Sequence, residues 1–163
     1  MAGQDAVAEG MTQTHRVAIL IPLAVGASAV ICTIVIHALA VAATVNFVRR
    51  EKRLGREGAG LWTNLAIVAL ALSFALVAHL IEIAFWAVLF VICGEFQEFG
   101  IAYYHSAVNY TTLGYGDLIM SPSWRLLGPL EAADGTLMFG VSTAIIFAVI
   151  VRLVQAQFED LRR

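Results

Sequence analysis

The run TTLGYGD, residues 111–117, has the residue types and spacing most suited to binding a ligand. Its two glycines alternate with residues that carry side chains, and glycine adopts positive φ without steric cost. The backbone can therefore alternate in handedness and turn successive C=O groups to one side. One row of carbonyl oxygens is not a binding site, but four copies around an axis would form rings that can replace the water shell of a monovalent cation.

Ionisable side chains inside apolar segments form a second group of candidates. His79 and Glu82 are three residues apart and share a helix face, and His37 lies in a separate apolar segment. Counted from the basic loop, the two histidines differ in depth by roughly a turn and a half, which disfavours level ligation of a haem. We expect a structural tether between helices. The alternatives are a proton-sensing pair, since histidine titrates near neutral pH, and a metal site.

The composition places these residues in a membrane protein. Of 163 residues, 60% are hydrophobic and 13% are charged, whereas about a quarter of an average soluble domain is charged. The net charge of −2 gives no reason to expect a nucleic-acid partner. Cys32 and Cys93 fall at different depths of apolar runs, so we expect free thiols.

Hydropathy divides the chain into segments that alternate between apolar and polar. In order, these are a tail (1–15), a spanning helix (16–48), a basic loop (49–60), a spanning helix (61–92), a short apolar helix (100–111), a loop with the remaining residues of TTLGYGD (112–117), a spanning helix (123–158) and a tail (159–163). About 20 apolar residues cross a bilayer, so the short helix cannot, and we predict that it is re-entrant. The predicted fold class is an all-α membrane protein.

Charge predicts the orientation of these segments. The 49–60 loop carries five basic residues and the polar segment around Glu95 carries none, so the loop should be cytoplasmic. The N-terminal tail is then extracellular, the C-terminal tail is cytoplasmic, and the re-entrant helix opens from the outer face. No segment has the arginine ladder of a voltage sensor.

With its flanking apolar segments, TTLGYGD closely resembles the selectivity filter of the potassium-channel pore-domain family, with Leu113 where valine or isoleucine is more usual. The resemblance implies a pore domain over 61–158, with outer helix, pore helix, filter and inner helix in that order, preceded by one extra helix. It implies a homotetramer in the lipid bilayer. It also implies that K⁺ is the permeant ligand, without a cofactor, and is bound by filter residues: Thr112, Leu113, Gly114, Tyr115 and Gly116.

The resemblance assigns supporting roles to residues beside the filter. These are Tyr104, His105, Thr111 and Asp117. Tyr115 should point away from the conduit into a cuff formed by the pore helix, where His105 could hydrogen-bond its hydroxyl. Val108 stands where some members place a glutamate behind the filter, so that carboxylate is absent here.

The third span carries further candidates. Gly135 and Gly140 have the spacing seen in family inner helices, where they act either as a hinge or as small residues that let helices approach closely. Ser142 and Thr143 are expected to line a central cavity.

Glu131 and Asp134 share one face in the outer half of that span. They either hydrogen-bond the back of the filter loop, line the permeation path, or are solvated near the outer surface.

Together these features predict a potassium-selective homotetrameric channel in the cell membrane, not an enzyme. A cation channel of relaxed selectivity is one alternative, which Tyr115 argues against. A membrane scaffold or cofactor-binding subunit using His37 and His79 is another, which the filter run argues against.

Overall fold

The computed structural model describes the backbone of residues 2–56 and 60–160, and the side chains of 19–56 and 60–158. All regular elements in this part of the chain are helices: α1 (Ala2–Arg53), α2 (Leu61–Ile92), α3 (Phe99–Tyr110) and α4 (Leu127–Asp160). Three apolar windows are long enough to cross a bilayer, at Ile19–Arg53, Leu61–Ile92 and Leu127–Phe158. The chain is therefore an all-helical, multi-pass membrane protein.

The helix boundaries agree with hydropathy in the middle of the chain and differ at its start. Helix α2 begins and ends at the predicted residues, and α3 lies one residue earlier than predicted. Helix α1 begins at Ala2 and ends at Arg53, so both the predicted tail and the first part of the predicted basic loop are helical. Hydropathy detects only the apolar part of a helix, and the polar residues on either side contain no proline to stop it.

Helix α4 begins four residues later than predicted. Before it, the amides of Trp124 and Arg125 donate to the carbonyl of Ser121 at 3.1 and 3.0 Å, which forms a turn. Pro129 falls in the first turn of α4, where no backbone N–H is needed.

The chain forms two compact units, and α1, α2 and α4 contribute residues to both. Unit 1 consists of Met1–Cys32 and Ile83–Gly135, and unit 2 consists of Thr33–Glu82 and Thr136–Arg163. Large, fully buried side chains from α2, α3 and α4 form the core of unit 1: Trp86, Phe90, Tyr110 and Leu127. The core of unit 2 contains Val48, Ile67, Val149 and Leu153.

Candidate functional site

The TTLGYGD loop leaves α3 directly and has an alternating backbone. Thr112, Gly114 and Gly116 have φ of 59°, 61° and 73°, whereas Leu113 and Tyr115 between them do not have positive φ. A β-branched residue with positive φ is a steric outlier, and Thr112 is the single non-glycine residue with positive φ in the described chain. The surrounding structure must therefore hold this conformation in place.

The start of the loop is held by the last carbonyls of α3. The C-terminal carbonyls of a helix lack partners within it, and the loop amides supply them. The bonds are Thr111 N to Ala107 O (3.1 Å), Thr112 N to Asn109 O (2.8 Å) and Leu113 N to Val108 O (2.9 Å). The position of the loop thus depends directly on the position of α3.

The far end of the loop is held by Tyr104 on α3. Its hydroxyl donates to Asp117 Oδ2 at 2.8 Å, and this bond raises the pKa of Tyr104 above its usual value of 10. Beyond the loop, the amide and hydroxyl of Ser121 donate to the two carboxylate oxygens of Glu95 at 2.7 and 2.5 Å. Each end of the loop is therefore tied to the α3 region by side-chain or backbone hydrogen bonds.

His105 is buried beside α2 and does not bond Tyr115 within the chain. The Asn109 amide donates to His105 Nε2 at 2.9 Å, and the imidazole packs 5.6 Å from the ring of Phe90 and 4.9 Å from that of Phe96. Burial lowers the pKa of His105 below 6.5. In the single chain the side chain of Tyr115 is 66% exposed, so its predicted bond to His105 stays a prediction.

The two acids of α4 are buried in unit 1, so the interpretation that they are solvated is wrong. Ser106 Oγ on α3 lies 2.5 Å from Glu131 Oε1 and 2.8 Å from the carbonyl of Ile83. Trp86 Nε1 donates to Asp134 Oδ2 at 2.9 Å. The carboxylates therefore join α4 to α3 and α2 within this unit, because burying them without such partners would be costly.

Gly135 lies where α4 meets the end of α3. A Cβ at this position would be 2.1 Å from the carbonyl oxygen of Tyr110, whereas a Cβ at Gly140 would meet nothing within 4 Å in the described chain. Close packing of α4 against α3 thus accounts for the glycine at 135 without a hinge. The role of Gly140 stays a prediction.

A second polar cluster lies in unit 2. His37 Nδ1 is 2.9 Å from Glu82 Oε1, and His79 Nδ1 is 3.4 Å from Glu82 Oε2. Ser142 Oγ lies 3.1 Å from His79 Nε2 and 3.2 Å from His37 Nε2. These four residues, called the His–Glu cluster below, join α1, α2 and α4.

The structure corrects one prediction about these residues. The imidazole rings of His37 and His79 are only 5.2 Å apart, so the predicted offset in depth is wrong. Because α1 continues to Arg53, His37 is 16 residues from the end of its helix and His79 is 18 residues from Leu61, the start of its own, an offset of about 3 Å at roughly 1.5 Å per residue. The hydroxyl of Ser142 bonds the imidazoles, and its predicted place in a central cavity stays a prediction.

The predicted place of Thr143, the next residue on α4, in a central cavity stays a prediction. Its hydroxyl donates to the carbonyl of Phe139 on its own helix at 2.8 Å, and its side chain is exposed.

The two cysteines are free, as predicted.

Sequence reasoning missed three residues whose side chains hydrogen-bond to His105, Glu131 and Asp134. Asn109 could have been found, because it lies four residues after His105 on the same helix face. Ser106 and Trp86 gave no local signal, because their partners are 25 and 48 residues away.

Comparison with known protein families matches residues 65–152, more than half of the chain, to the ion channel family Ion_trans_2. No curated protein and no solved structure matches the chain. The matched range contains α3, the TTLGYGD loop and most of α2 and α4. The chain therefore belongs to the ion channel family that shares the two-span potassium-channel pore module.

Proposed function

We propose that four copies of the chain form a potassium-selective channel in which K⁺ passes along the TTLGYGD loops. The alternating backbone of this loop carries the proposal: positive φ at Thr112, Gly114 and Gly116 is the conformation that lets carbonyls of successive residues face one side. Rings of such carbonyls replace the hydration shell of K⁺. No voltage sensor is part of the proposal.

The need for several copies follows from the exposure of the loop. Leu113 and Tyr115 are 54% and 66% exposed in one chain, and irregular backbone at membrane depth is tolerated only against protein or a water-filled path. At roughly 1.5 Å per residue, the 12 residues of α3 extend about 18 Å, less than the ~30 Å hydrocarbon core. Helix α3 is therefore re-entrant in this proposal, and neighbouring copies cover the loop.

The permeation test uses purified protein in liposomes. We expect Rb⁺ and K⁺ to pass much faster than Na⁺, with block by Ba²⁺, and Tyr115→Asp to abolish selectivity without preventing assembly. Ile119→Asp is the matched control, because it places the same carboxylate at an 83% exposed position just beyond the loop and should retain selectivity. Equal fluxes of Na⁺ and K⁺ through the native protein would refute selectivity.

Assembly is tested by the protein mass of the detergent-solubilised particle. One chain has a mass of 17.6 kDa, so a tetramer has four times this mass, about 70 kDa. A monomer would refute the proposal, because a single chain cannot form a ring of carbonyls.

Orientation is tested by thiol labelling in a background without Cys32 and Cys93. The proposal places the N-terminus outside and the 49–60 loop inside. Gln4→Cys should react with an impermeant reagent from outside only, and Ala59→Cys from the cytoplasmic side only. The reverse pattern would contradict the orientation while leaving the channel proposal intact.

A further inference from the structure

Three side chains of metal-binding type converge in unit 2. His37 comes from α1, and His79 and Glu82 come from α2; one candidate ligand atom from each lies within 4.8 Å of the others, and all three residues are buried. Two imidazoles and one carboxylate are a ligand set that binds Zn²⁺ in proteins. The channel function proposed above makes no use of this cluster.

The spacing of the atoms suits tetrahedral coordination. Bonds of about 2.0–2.2 Å from Zn²⁺ to nitrogen or oxygen place neighbouring tetrahedral ligands roughly 3.3 Å apart. The distances from Glu82 oxygens to His37 Nδ1 and His79 Nδ1 are 2.9 and 3.4 Å, on either side of that value. The two imidazoles approach different oxygens of the carboxylate, so an ion between them would be bound by both Nδ1 atoms and by Glu82.

The hydroxyl of Ser142 can orient both histidines. A neutral imidazole has one N–H and one lone pair, so a ring whose Nε2–H donates has its lone pair at Nδ1. Both His Nε2 atoms lie 3.1–3.2 Å from Ser142 Oγ, which has two lone pairs and can accept from both.

This arrangement around Ser142 is the one that metal-binding histidines use. A ligating histidine almost always donates its second ring N–H to an oxygen, which fixes the tautomer and leaves the first nitrogen free for the metal. With both Nε2–H groups donating to Ser142 Oγ, both Nδ1 lone pairs face the carboxylate of Glu82. A divalent cation between them satisfies all three groups at once.

We propose that His37, His79 and Glu82 bind one divalent transition-metal ion per chain, with Zn²⁺ the best match and Ser142 as the residue that orients both histidines. Imidazole ligands favour Zn²⁺ and its neighbours over Mg²⁺ or Ca²⁺, which prefer oxygen ligands. The metal would tie the extra helix α1 to α2.

The test measures metal binding and not ion flux, so its result is independent of the channel proposal. Full-length protein without a polyhistidine tag is stripped with a chelator and titrated with Co²⁺. We expect saturation at one Co²⁺ per chain, the visible d–d absorption of tetrahedral Co²⁺, and loss of that absorption when Zn²⁺ is added. Absence of the absorption, or binding of far less than one ion per chain, would overturn the proposal.

Variants test whether the ion binds at this cluster. Glu82→Gln preserves shape but removes the anionic ligand, and should weaken Co²⁺ binding by at least about 100-fold; Ser142→Ala should weaken it by roughly 10–100-fold through lost orientation of the histidines. His105→Gln is the control, a buried histidine outside the cluster, and should bind Co²⁺ like the native protein. If Glu82→Gln does not fold, the Co²⁺ spectrum of the native protein and the Co²⁺ affinity of Ser142→Ala still test the proposal. Native affinity in Ser142→Ala would refute the role of Ser142, and native affinity in Glu82→Gln would refute the site.

Discussion

Replacing Gly135 by alanine tests whether the end of α3, and with it the TTLGYGD loop, depends on close approach by α4. The added Cβ would lie 2.1 Å from the carbonyl oxygen of Tyr110 and 2.9 Å from its carbonyl carbon. Both are backbone atoms, so no side-chain rotation relieves the clash. Tyr110 is the last residue of α3 and directly precedes the TTLGYGD loop.

The size of the effect follows from the displacement that is needed. Real Cβ contacts are essentially never closer than 3.0 Å, so the carbonyl oxygen of Tyr110 or the α4 backbone must move by at least about 0.9 Å. Overpacking of a well-packed core costs typically 1–3 kcal/mol, occasionally more, and for a clash between backbones we expect about 3 kcal/mol. For chains of this length each kcal/mol lowers Tm by roughly 2–4 °C, which gives a decrease of about 6–12 °C.

Gly140→Ala is the matched control on the same helix. Its Cβ meets nothing within 4 Å in the described chain, and alanine favours a helix over glycine by up to about 1 kcal/mol, so Tm should stay constant or rise. The assay is thermal melting of the detergent-solubilised particle, with Rb⁺ flux and selectivity measured in parallel. A Gly135→Ala protein with native Tm but altered flux would refute the packing argument and support a hinge.

Three further predictions concern residues around the TTLGYGD loop. Tyr104→Phe should weaken K⁺ selectivity in flux assays, because it removes the hydrogen bond to Asp117. In the native protein this bond raises the pKa of Tyr104. The contribution of the bond to selectivity should therefore persist below pH 10 and disappear only as pH rises beyond the raised pKa. Burial lowers the pKa of His105, so the stability gained by burying its neutral imidazole is present above pH 6.5 and declines as pH falls below 6.5. His105→Gln should remove this part of the acid dependence of Tm. An acid dependence equal to that of the native protein would contradict the prediction. Ser121→Ala should cost about 0.5–1.5 kcal/mol because it removes the exposed hydroxyl bond to Glu95 Oε1 while the amide bond stays. A melting curve identical to that of the native protein would show that the hydroxyl bond contributes nothing.

Local properties of the sequence were enough to predict the three spanning helices, the short α3 and the loop that follows it. Whether a helix can cross a bilayer depends on the number of consecutive apolar residues, which a window of neighbouring residues shows. The alternating backbone of the loop likewise depends on where glycine permits positive φ, although Thr112 adopts positive φ without being glycine. Prediction was least accurate at the ends of α1, where no long apolar run and no proline marks the boundary.

The polar clusters were decided by tertiary structure. His37 and Glu82 are 45 residues apart, and Ser142 and His37 are 105 residues apart; no local pattern specifies which faces of separate helices meet or at what depth. Small errors matter here, because ending α1 five residues too early was enough to place His37 and His79 at different depths. The same holds for the burial of Glu131, which depends on the packing of α3 against α4. Side-chain packing sets the rotation and offset of each helix, and those two quantities determine which ionisable groups become partners.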